Sequence, residues 1–470
     1  MAELNIKEIA KVIQGEVLNA AENLIFRHYH FDTRLIEAGH TLFFALKSEQ
    51  NDGHRFVDRL QDKKKNNLAA VVSREFDCQG IGIPLIRVKD TLAAAHKLAA
   101  HVREKFRAVK YIGITGSAGK TTTKEFVYQI LSKKGAASAP DHVYRSHLNW
   151  NNWIGMPFSI LQMTGDEQFA VFELAMSYPG IGEIDLLAQI LKPDVAVLLN
   201  VFPTHLEFLK TLENVATGKS EILNYLSCDS AAFVSGDSEL ILEKTASKKG
   251  RKIYFGHNPE TNDIILKEII RDNDTTKMII DFFGITGEFT THIVNRVHIE
   301  NLFAAIVVAH HLGLKHFEIQ AALQEIKPLS GRGDINTYKD FTIIDETYNS
   351  NPAAVKVTLD WIDKEYTGAK IAVLGDMLEL GEKEDDYHIE IGNFFSGLNF
   401  DRLITVGRRA LKIAAGAEAA GFKSLAIESF DNSKEAGIFL KEAAGGGSVI
   451  LFKASRGIRL EEALKEFTGE

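Results

Sequence analysis

Lys120 and Thr121 close a glycine loop within residues 111–124, which read YIGITGSAGKTTTK. The apolar or β-branched Tyr111, Ile112 and Ile114 describe a strand, Thr115, Gly116, Ser117, Ala118 and Gly119 a tight turn, and Lys120 the opening of a helix that continues through Thr121 and Thr122. Such a turn points backbone N–H groups inward, and together with the positive end of the helix dipole they hold a polyphosphate. Lys120 would reach the outer phosphates and Thr121 would ligate Mg²⁺. In the standard Walker A pattern a glycine stands five positions before the last one; Ile114 occupies that place, and the spacing is TGxxGKTT. The plain alternative is an ordinary βα turn, against which the Lys-Thr-Thr run and the preceding strand both count.

Further candidates end the next two apolar strands, AVFELAM and PDVAVLLNVFPTHLE. Ligands of a parallel sheet bind beyond the carboxyl ends of its strands, which turns Glu173, Asn200 and His205 toward the glycine loop. Mg²⁺ takes one or two hard oxygen ligands from protein and keeps several waters. Glu173 suits it, since a glutamate in an apolar strand is rarely buried unpaired; a capping salt bridge is the alternative. Lys219 and Glu221 lie in the helix-like NVATGKSEILNYL, where a lysine by itself reads as a solvated surface residue.

The 470 residues suggest three domains at about 100–200 residues each. Alternating strands and helices predict an α/β fold: a small N-terminal unit over residues 1–108, a central parallel-sheet unit over 109–328 carrying the loop, and a doubly wound, Rossmann-like unit over 329–470. The first ends in a helix over residues 91–106, with Leu92, Ala95, Leu98, Ala99 and Val102 on one face. Within it, Asp32, Thr33 and Arg34 follow a strand, and Asn51, Asp52, Gly53 and His54 form a turn. By themselves, Asp32 is a turn cap and Arg34 a surface residue.

The helix begun at Lys120 buries Phe126, Val127, Ile130 and Leu131 and is expected to stop at Gly135, with Lys133 and Lys134 in its last turn. Residues 229–292 are β-rich, and 299–312 form an Ala-rich helix whose His310 and His311, being adjacent, point apart and mark a helix end rather than a metal site. The third unit shows strands FTIIDE, KIAVLGD, RLITVG and SVILFKAS, with helices starting near Pro352, Asp385, Arg408 and Asn432.

A net charge of −9, from 54 basic and 63 acidic residues, supplies no general field for nucleic acid or an anionic membrane. Two isolated cysteines, Cys78 and Cys228, encode neither a disulfide framework nor a zinc cluster, which points to a reducing cytoplasm. No stretch reaches about 18 uninterrupted apolar residues, so neither secretion nor membrane insertion is expected.

Two activities fit a phosphate loop. In a P-loop ATPase, FTIIDE would be a Walker B strand, with Asp345 on Mg²⁺ and Glu346 activating water. Against this stand the loop spacing and the distance of FTIIDE in the chain. An ATP-dependent ligase, with a central domain for phosphates and flanking domains for two substrates, fits better.

The motifs now become specific. TGSAGKTTTKE, HLNWNNWIGMP, NVFPTHLEFLKTLENVATGKSEI, DETYNSNP and FKASRGIRLEEAL together resemble the Mur ligase family over nearly the whole chain, most weakly at residues 229–292. AVLGDMLELGE resembles the members that join D-alanyl-D-alanine to UDP-N-acetylmuramoyl-tripeptide, giving the pentapeptide precursor of peptidoglycan. Other amino acid-adding or folylpolyglutamate-synthase-like members are the nearest rivals.

The resemblance implies ATP held by the loop from Thr115 to Thr122 with Asn301, Arg332 and Asp345, and Mg²⁺, as two ions, at Thr121, Glu173, His205 and Lys219. Lys120, His205 and Lys219 are the implied catalytic residues, and Lys219 corresponds to a lysine that many members carbamylate. A carbamate anion there would help place a second Mg²⁺, which an ammonium would repel. Thr33, Arg34, Asp52 and His54 would bind the UDP-sugar substrate; this reverses the surface assignment of Arg34. Tyr348, Asn349 and Asn351 would lie near the dipeptide, and Asn149, Asn152, Lys453 and Arg456 are further implied substrate-binding residues. A cytoplasmic monomer is expected. The chain departs from the family's GxHNxxN at Asn295, Val297 and His298, where only Asn301 agrees, and has Ser48 for a usual glycine and Glu346 for a usual aspartate.

Overall fold

The computed structural model describes residues 2–19, 23–36, 39–48, 51–60, 67–133, 142–147, 149–176, 180–204, 206–272 and 274–469. Among the described residues three large sheets, each mainly parallel, follow one another along the chain, as the alternation of strands and helices predicts, and a short antiparallel pair, Leu4–Asn5 with Ile25–Phe26, stands beside the first. The first has five strands in the order Glu16–Leu18, Leu85–Val88, Leu68–Ser73, Thr41–Phe44, His28–His30, and only the first pair is antiparallel. The helix Thr91–Lys105 packs Ala95, Leu98, Ala99 and Val102 inward and is capped by Asp90, which accepts from the N–H groups of Leu92 and Ala93.

The nine-stranded central sheet places Lys110–Thr115 between Phe169–Glu173 and Val195–Leu198, parallel to both. Because Ile114 is level with Glu173 and Thr115 with Leu198, all three strands finish at one edge. Side chains alternate between faces. Ile112, Ile114 and Val171 pack beneath the helices Lys120–Leu131 and Arg296–His311, while Tyr111, Phe172 and Leu198 join a core that runs on into the N-terminal domain. That shared core is aromatic where the domains meet: Phe158 lies 4.8 Å from Phe31 and 5.3 Å, edge-on, from Phe44. The far end of the sheet is a meander of Ile264–Asp272, Thr275–Phe282 and Ile285–Thr291. On its outermost strand the Thr290 N–H donates to Gln320 Oε1 at 2.9 Å and the Thr290 carbonyl accepts from Gln320 Nε2 at 2.8 Å.

The third sheet runs Asp334–Tyr338, Phe341–Glu346, Val449–Lys453, Lys370–Gly375, Arg402–Val406, Ile427–Phe430, with only the first pair antiparallel. The four strands read from sequence are present. The edge strands Asp334–Tyr338 and Ile427–Phe430 and the closing helix Glu461–Thr468 add to them. Helix starts differ for local reasons. Arg296–His311 begins three residues earlier than expected because the Asn295 carboxamide caps it at Val297 N–H. The helix expected near Arg408 begins at Leu411, since the Ala410 N–H is bound by Asp376 at 2.7 Å. The helix Lys120–Leu131 is shorter than expected, and Lys134 and Gly135 lie outside the described residues. His310 stacks on Phe282 at 4.3 Å and His311 meets Phe233 edge-on at 5.1 Å, so both rings pack rather than ligate. Among the described residues no helix is long and apolar enough to cross a membrane.

Arg103 ties the first two domains together. Its guanidinium donates to the carbonyls of Leu191 and Lys192, each at 2.7 Å, at the end of the helix Glu183–Leu191, and lies 4.5 Å from the Tyr111 ring centre. Charged donors of this kind contribute about 1.5–3 kcal/mol each. Arg103→Met, which removes both bonds, is therefore expected to lower the unfolding free energy by about 3–6 kcal/mol in urea titration, without altering the central sheet's circular dichroism.

Candidate active site

The glycine loop is built on Asn200, which follows the strand Val195–Leu198. The Ser117 N–H donates to the Asn200 carbonyl at 3.0 Å, the Ala118 N–H to Asn200 Oδ1 at 2.8 Å, and Asn200 Nδ2 returns to the Ala118 carbonyl at 3.1 Å. Two loop N–H groups expected to face a ligand are thus committed to the frame. The donors left for an anion are those of the first turn of Lys120–Leu131, which no side chain caps. Gly119 caps it instead at φ +79°, where a Cβ would lie 2.0 Å from Asn301 Oδ1, so both backbone and neighbour demand glycine.

Two lysines converge on the loop. Lys120 Nζ donates to the Gly116 carbonyl at 3.0 Å, and Lys219 Nζ, from the helix Leu212–Ser220, donates to the same oxygen at 2.9 Å. Lys219 is 1% exposed, which reverses its assignment to a solvated face. Burial first and then the charge of Lys120 push the Lys219 ammonium well below the usual lysine range, with Glu173 opposing. Burial also pushes Lys120 down, against the pull of Glu173 and aided by Arg332.

Glu173 is buried between two donors: Thr121 Oγ1 gives to Oε2 at 2.7 Å and Asn151 Nδ2 to Oε1 at 2.9 Å. Among the described residues no salt bridge caps it. Asn149 and Asn152 line the same cleft, and Asn152 Oδ1 also accepts from the N–H groups of Ile154 and Gly155 where the helix Gly155–Leu161 begins. Asn151 is the residue that sequence reasoning missed; the asparagine run was a signal, but its spacing does not say which side chain turns inward.

The opposite wall of this cleft of about 300 Å³ comes from the third domain: Arg332, Glu346, Tyr348, Asn349, Asn351 and Lys453. The Arg332 guanidinium lies 3.8 Å from the Tyr348 ring centre, with Arg456 at 5.7 Å. Lys453 Nζ donates to Glu346 Oε2 at 2.5 Å and to the Asn349 carbonyl at 3.3 Å, and Thr358 donates to the same carboxylate at 3.0 Å. Burial would raise Glu346, but Lys453 and Thr358 outweigh it and hold the carboxyl below its usual range. A carboxylate so compensated is a poor base for water, which removes the support for a Walker B role. Asn351 caps Pro352–Glu365 at the Ala354 N–H, 2.9 Å away.

Asp345 is not among the residues lining the cleft; its Oδ1 accepts from the Thr347 N–H and hydroxyl at 3.0 and 2.8 Å. Asn301 lines the cleft with Nδ2 buried and unpartnered, as is Nδ1 of His298 beside it. The His298 Nε2 bonds the Arg332 carbonyl, which puts the ring proton there and leaves Nδ1 an acceptor.

Thr33, Arg34, Asp52 and His54 sit apart from the cleft, in the N-terminal domain. Arg34 is 87% exposed and pairs with Asp32 at 2.6 Å. His54 Nε2 accepts the Ser73 N–H at 2.9 Å, so its proton is on Nδ1 and directed to Asp52 at 2.6 Å. Phe31, beside this cluster, packs on Trp150 at 5.5 Å, next to Asn149 and Asn151. His205 lies outside the described residues. Among those described, no group of three or more His, Cys, Asp or Glu side chains converges to hold a metal.

The sequence profile of the Mur ligase middle domain matches residues 114–309, and that of the Mur ligase, glutamate ligase domain matches 331–456. The chain belongs to the Mur ligase family. It is 33% identical to the UDP-N-acetylmuramoyl-tripeptide-D-alanyl-D-alanine ligase of Bacillus subtilis over 99% of this chain and 98% of that one. It is 30% identical to the enzyme of the same name from Synechocystis, over 97% and 94%. Among solved structures, MurF from Acinetobacter baumannii superposes with a TM-score of 0.88 at 25% identity over the whole of both chains. MurF from Thermotoga maritima in complex with ADP gives 0.80 at 29% over 94% and 97%.

In this Mur ligase the Gly119 position admits no side chain without displacing Asn301 or the helix terminus. Gly119→Ala is expected to weaken ATP binding at least about tenfold in isothermal titration, the cost of strain on the order of 1–3 kcal/mol, with unfolding temperature changed by only a few degrees.

Proposed function

We propose that this Mur ligase uses ATP to join D-alanyl-D-alanine to UDP-N-acetylmuramoyl-tripeptide, giving the pentapeptide precursor of peptidoglycan, as a monomer in the cytoplasm. Full-length identity to ligases of that name supports the reaction. The observation that carries the chemistry is Lys120 beside the Thr121–Glu173 pair in one cleft with the third-domain wall, with Lys219 buried behind it on the same Gly116 carbonyl.

A carboxylate is a poor acyl donor because oxide cannot leave. The terminal carboxylate of the tripeptide therefore attacks the γ-phosphorus of ATP, an acyl phosphate forms and ADP departs. The amine of D-alanyl-D-alanine then attacks the acyl carbon, and phosphate leaves from the tetrahedral intermediate. Lys120 and the open first turn of its helix spread the charge of phosphoryl transfer, and Arg332 adds a cation from the other wall. The His298 acceptor and the Asn301 donor, buried and unpartnered, suit the edge of a nucleotide base. Asp345 acts at one remove, ordering Thr347 beside Tyr348. Tyr348, Asn349, Asn351, Lys453 and Arg456 receive the dipeptide, while Thr33, Arg34, Asp52 and His54, with Asn149 and Asn152, receive the UDP-sugar.

The oxygen donors Thr121 and Glu173 fit Mg²⁺, which prefers few hard protein ligands. They would hold it with His205, and bound Mg²⁺ supplies charge neutralisation to the phosphates. Lys219 is desolvated and beside a second cation, conditions that favour its neutral amine, the form that reacts with CO₂ to give a carbamate. Carbamylated, it would offer oxygens toward a second ion.

With ATP, Mg²⁺ and UDP-muramoyl tripeptide, phosphate release is expected to depend on added D-alanyl-D-alanine. Release indifferent to the dipeptide would sink the ligase assignment. Glu173→Gln should raise the Mg²⁺ concentration for half-maximal rate by about 10–100-fold, read as a shift of the Mg²⁺ titration. For Lys219, a crystal structure of the loaded enzyme should show density extending beyond Nζ; an unmodified lysine beside two bound ions would count against the carbamate.

A further inference from the structure

The loop that joins the strand Lys370–Gly375 to the helix Glu384–Ser396 is fastened by groups the proposed chemistry does not use. His388, fully buried in that helix, accepts the Met377 N–H on Nε2 at 3.0 Å and gives its Nδ1 proton to the Glu384 carbonyl at 2.6 Å. The Leu378 N–H donates to Ser455 Oγ at 3.0 Å, Ser455 Oγ donates to the Ser350 carbonyl at 3.4 Å, and the Ser455 N–H donates to the Asp376 carbonyl at 3.0 Å. Ser350 stands between Asn349 and Asn351, and Ser455 two residues after Lys453. The loop is thus bonded directly to both segments that form the third-domain wall of the cleft. Its far end seats on the central domain: a Cβ on Gly381 would lie 2.9 Å from the Glu207 nitrogen in the helix Leu206–Leu209.

We infer that His388 is a positioning residue for the acceptor dipeptide, its Nε2 holding the Met377 N–H so that the 376–378 loop, through Ser455 and Ser350, sets the wall formed by Asn349, Asn351 and Lys453. This rests on the assignment of that wall to the dipeptide. One tautomer alone serves, because Met377 offers a donor and Glu384 an acceptor. The charged groups facing the ring are Asp376 from the loop, Glu384 from its own helix and Arg409 from the segment before Leu411–Ala419. Burial lowers the ring below the ordinary imidazole range, against the bond to Glu384 and the charges of Asp376 and Glu384, with Arg409 assisting. Protonated in acid, Nε2 would present a second donor to Met377 and release the loop.

The test is steady-state phosphate release by the full-length wild type, His388→Leu and His388→Gln, with D-alanyl-D-alanine and ATP varied in turn from neutral pH into acid. His388→Leu should raise KM for the dipeptide about tenfold, the cost of one orphaned buried donor, with KM for ATP within about twofold. His388→Gln, whose carboxamide oxygen can accept from Met377, should recover most of that loss. Wild type should show an additional rise of dipeptide KM below the imidazole range that His388→Gln lacks. Equal changes in both KM values, an unchanged dipeptide KM in His388→Leu, or an acid rise in His388→Gln matching wild type would each overturn the inference. Should His388→Leu fail to fold, the wild-type and His388→Gln pH profiles decide by themselves. Wild-type phosphate release that ignores the dipeptide would instead overturn the ligase assignment on which the inference stands.

Discussion

Two lysine side chains sharing the carbonyl oxygen of Gly116 are the constraint around which the central domain is arranged. At the intermediate dielectric of a partly buried site, two ammonium charges a few ångström apart would repel by roughly 4 kcal/mol, and that repulsion adds to burial in favouring the neutral amine of Lys219. The helix Leu212–Ser220 holds Lys219 in place and Gly116 follows directly on the central strand, so the pair is set by the fold rather than by a ligand. The charge offered to a polyphosphate is therefore that of Lys120, already in position, and little rearrangement is left for the moment of phosphoryl transfer.

The third-domain wall is charged differently. Its lysine and its glutamate neutralise each other, and a threonine hydroxyl shares the same carboxylate oxygen. The cleft thus sets Lys120, suited to phosphates, against a side on which Lys453 and Glu346 compensate each other and Arg332, over the Tyr348 ring, is the cation that remains. In the proposed reaction the compensated pair meets a zwitterion, for which a strong net field of either sign would be a hindrance rather than a help.

What could be read from sequence follows from how local each signal is. The glycine loop was legible because turn, lysine and threonine are contiguous, and the third-domain strands because four apolar runs alternate with helices. Asn151 was hidden among three asparagines in an irregular segment, where no periodicity fixes direction. Lys219 looked solvated because a short helix with few apolar residues gives no sign of which face the rest of the protein covers. Asp345 and Glu346 are neighbours on a strand and so point to opposite faces; sequence put both near the ligand, whereas only Glu346 lines the cleft. His388 lies in a helix opening with three acidic residues, and nothing in that pattern announces a buried imidazole. The resemblance to Mur ligases brought Arg34 forward, yet what fixes its conformation is an ion pair with Asp32 two residues away.

The carboxamide of Gln320 has a meaning beyond local bonding. By taking both the N–H and the carbonyl of Thr290, and with Gln324 reaching the same carbonyl at 3.0 Å, it occupies the place an additional strand would use. The outer edge of a nine-stranded sheet is an open template for strand addition, the first step of edge-to-edge aggregation. Here a side chain from the adjacent helix counterfeits the next strand at one register position, so a second chain could add only by first displacing it. Protection of this edge position against strand addition is in this way written into two glutamines on the helical flank of the sheet.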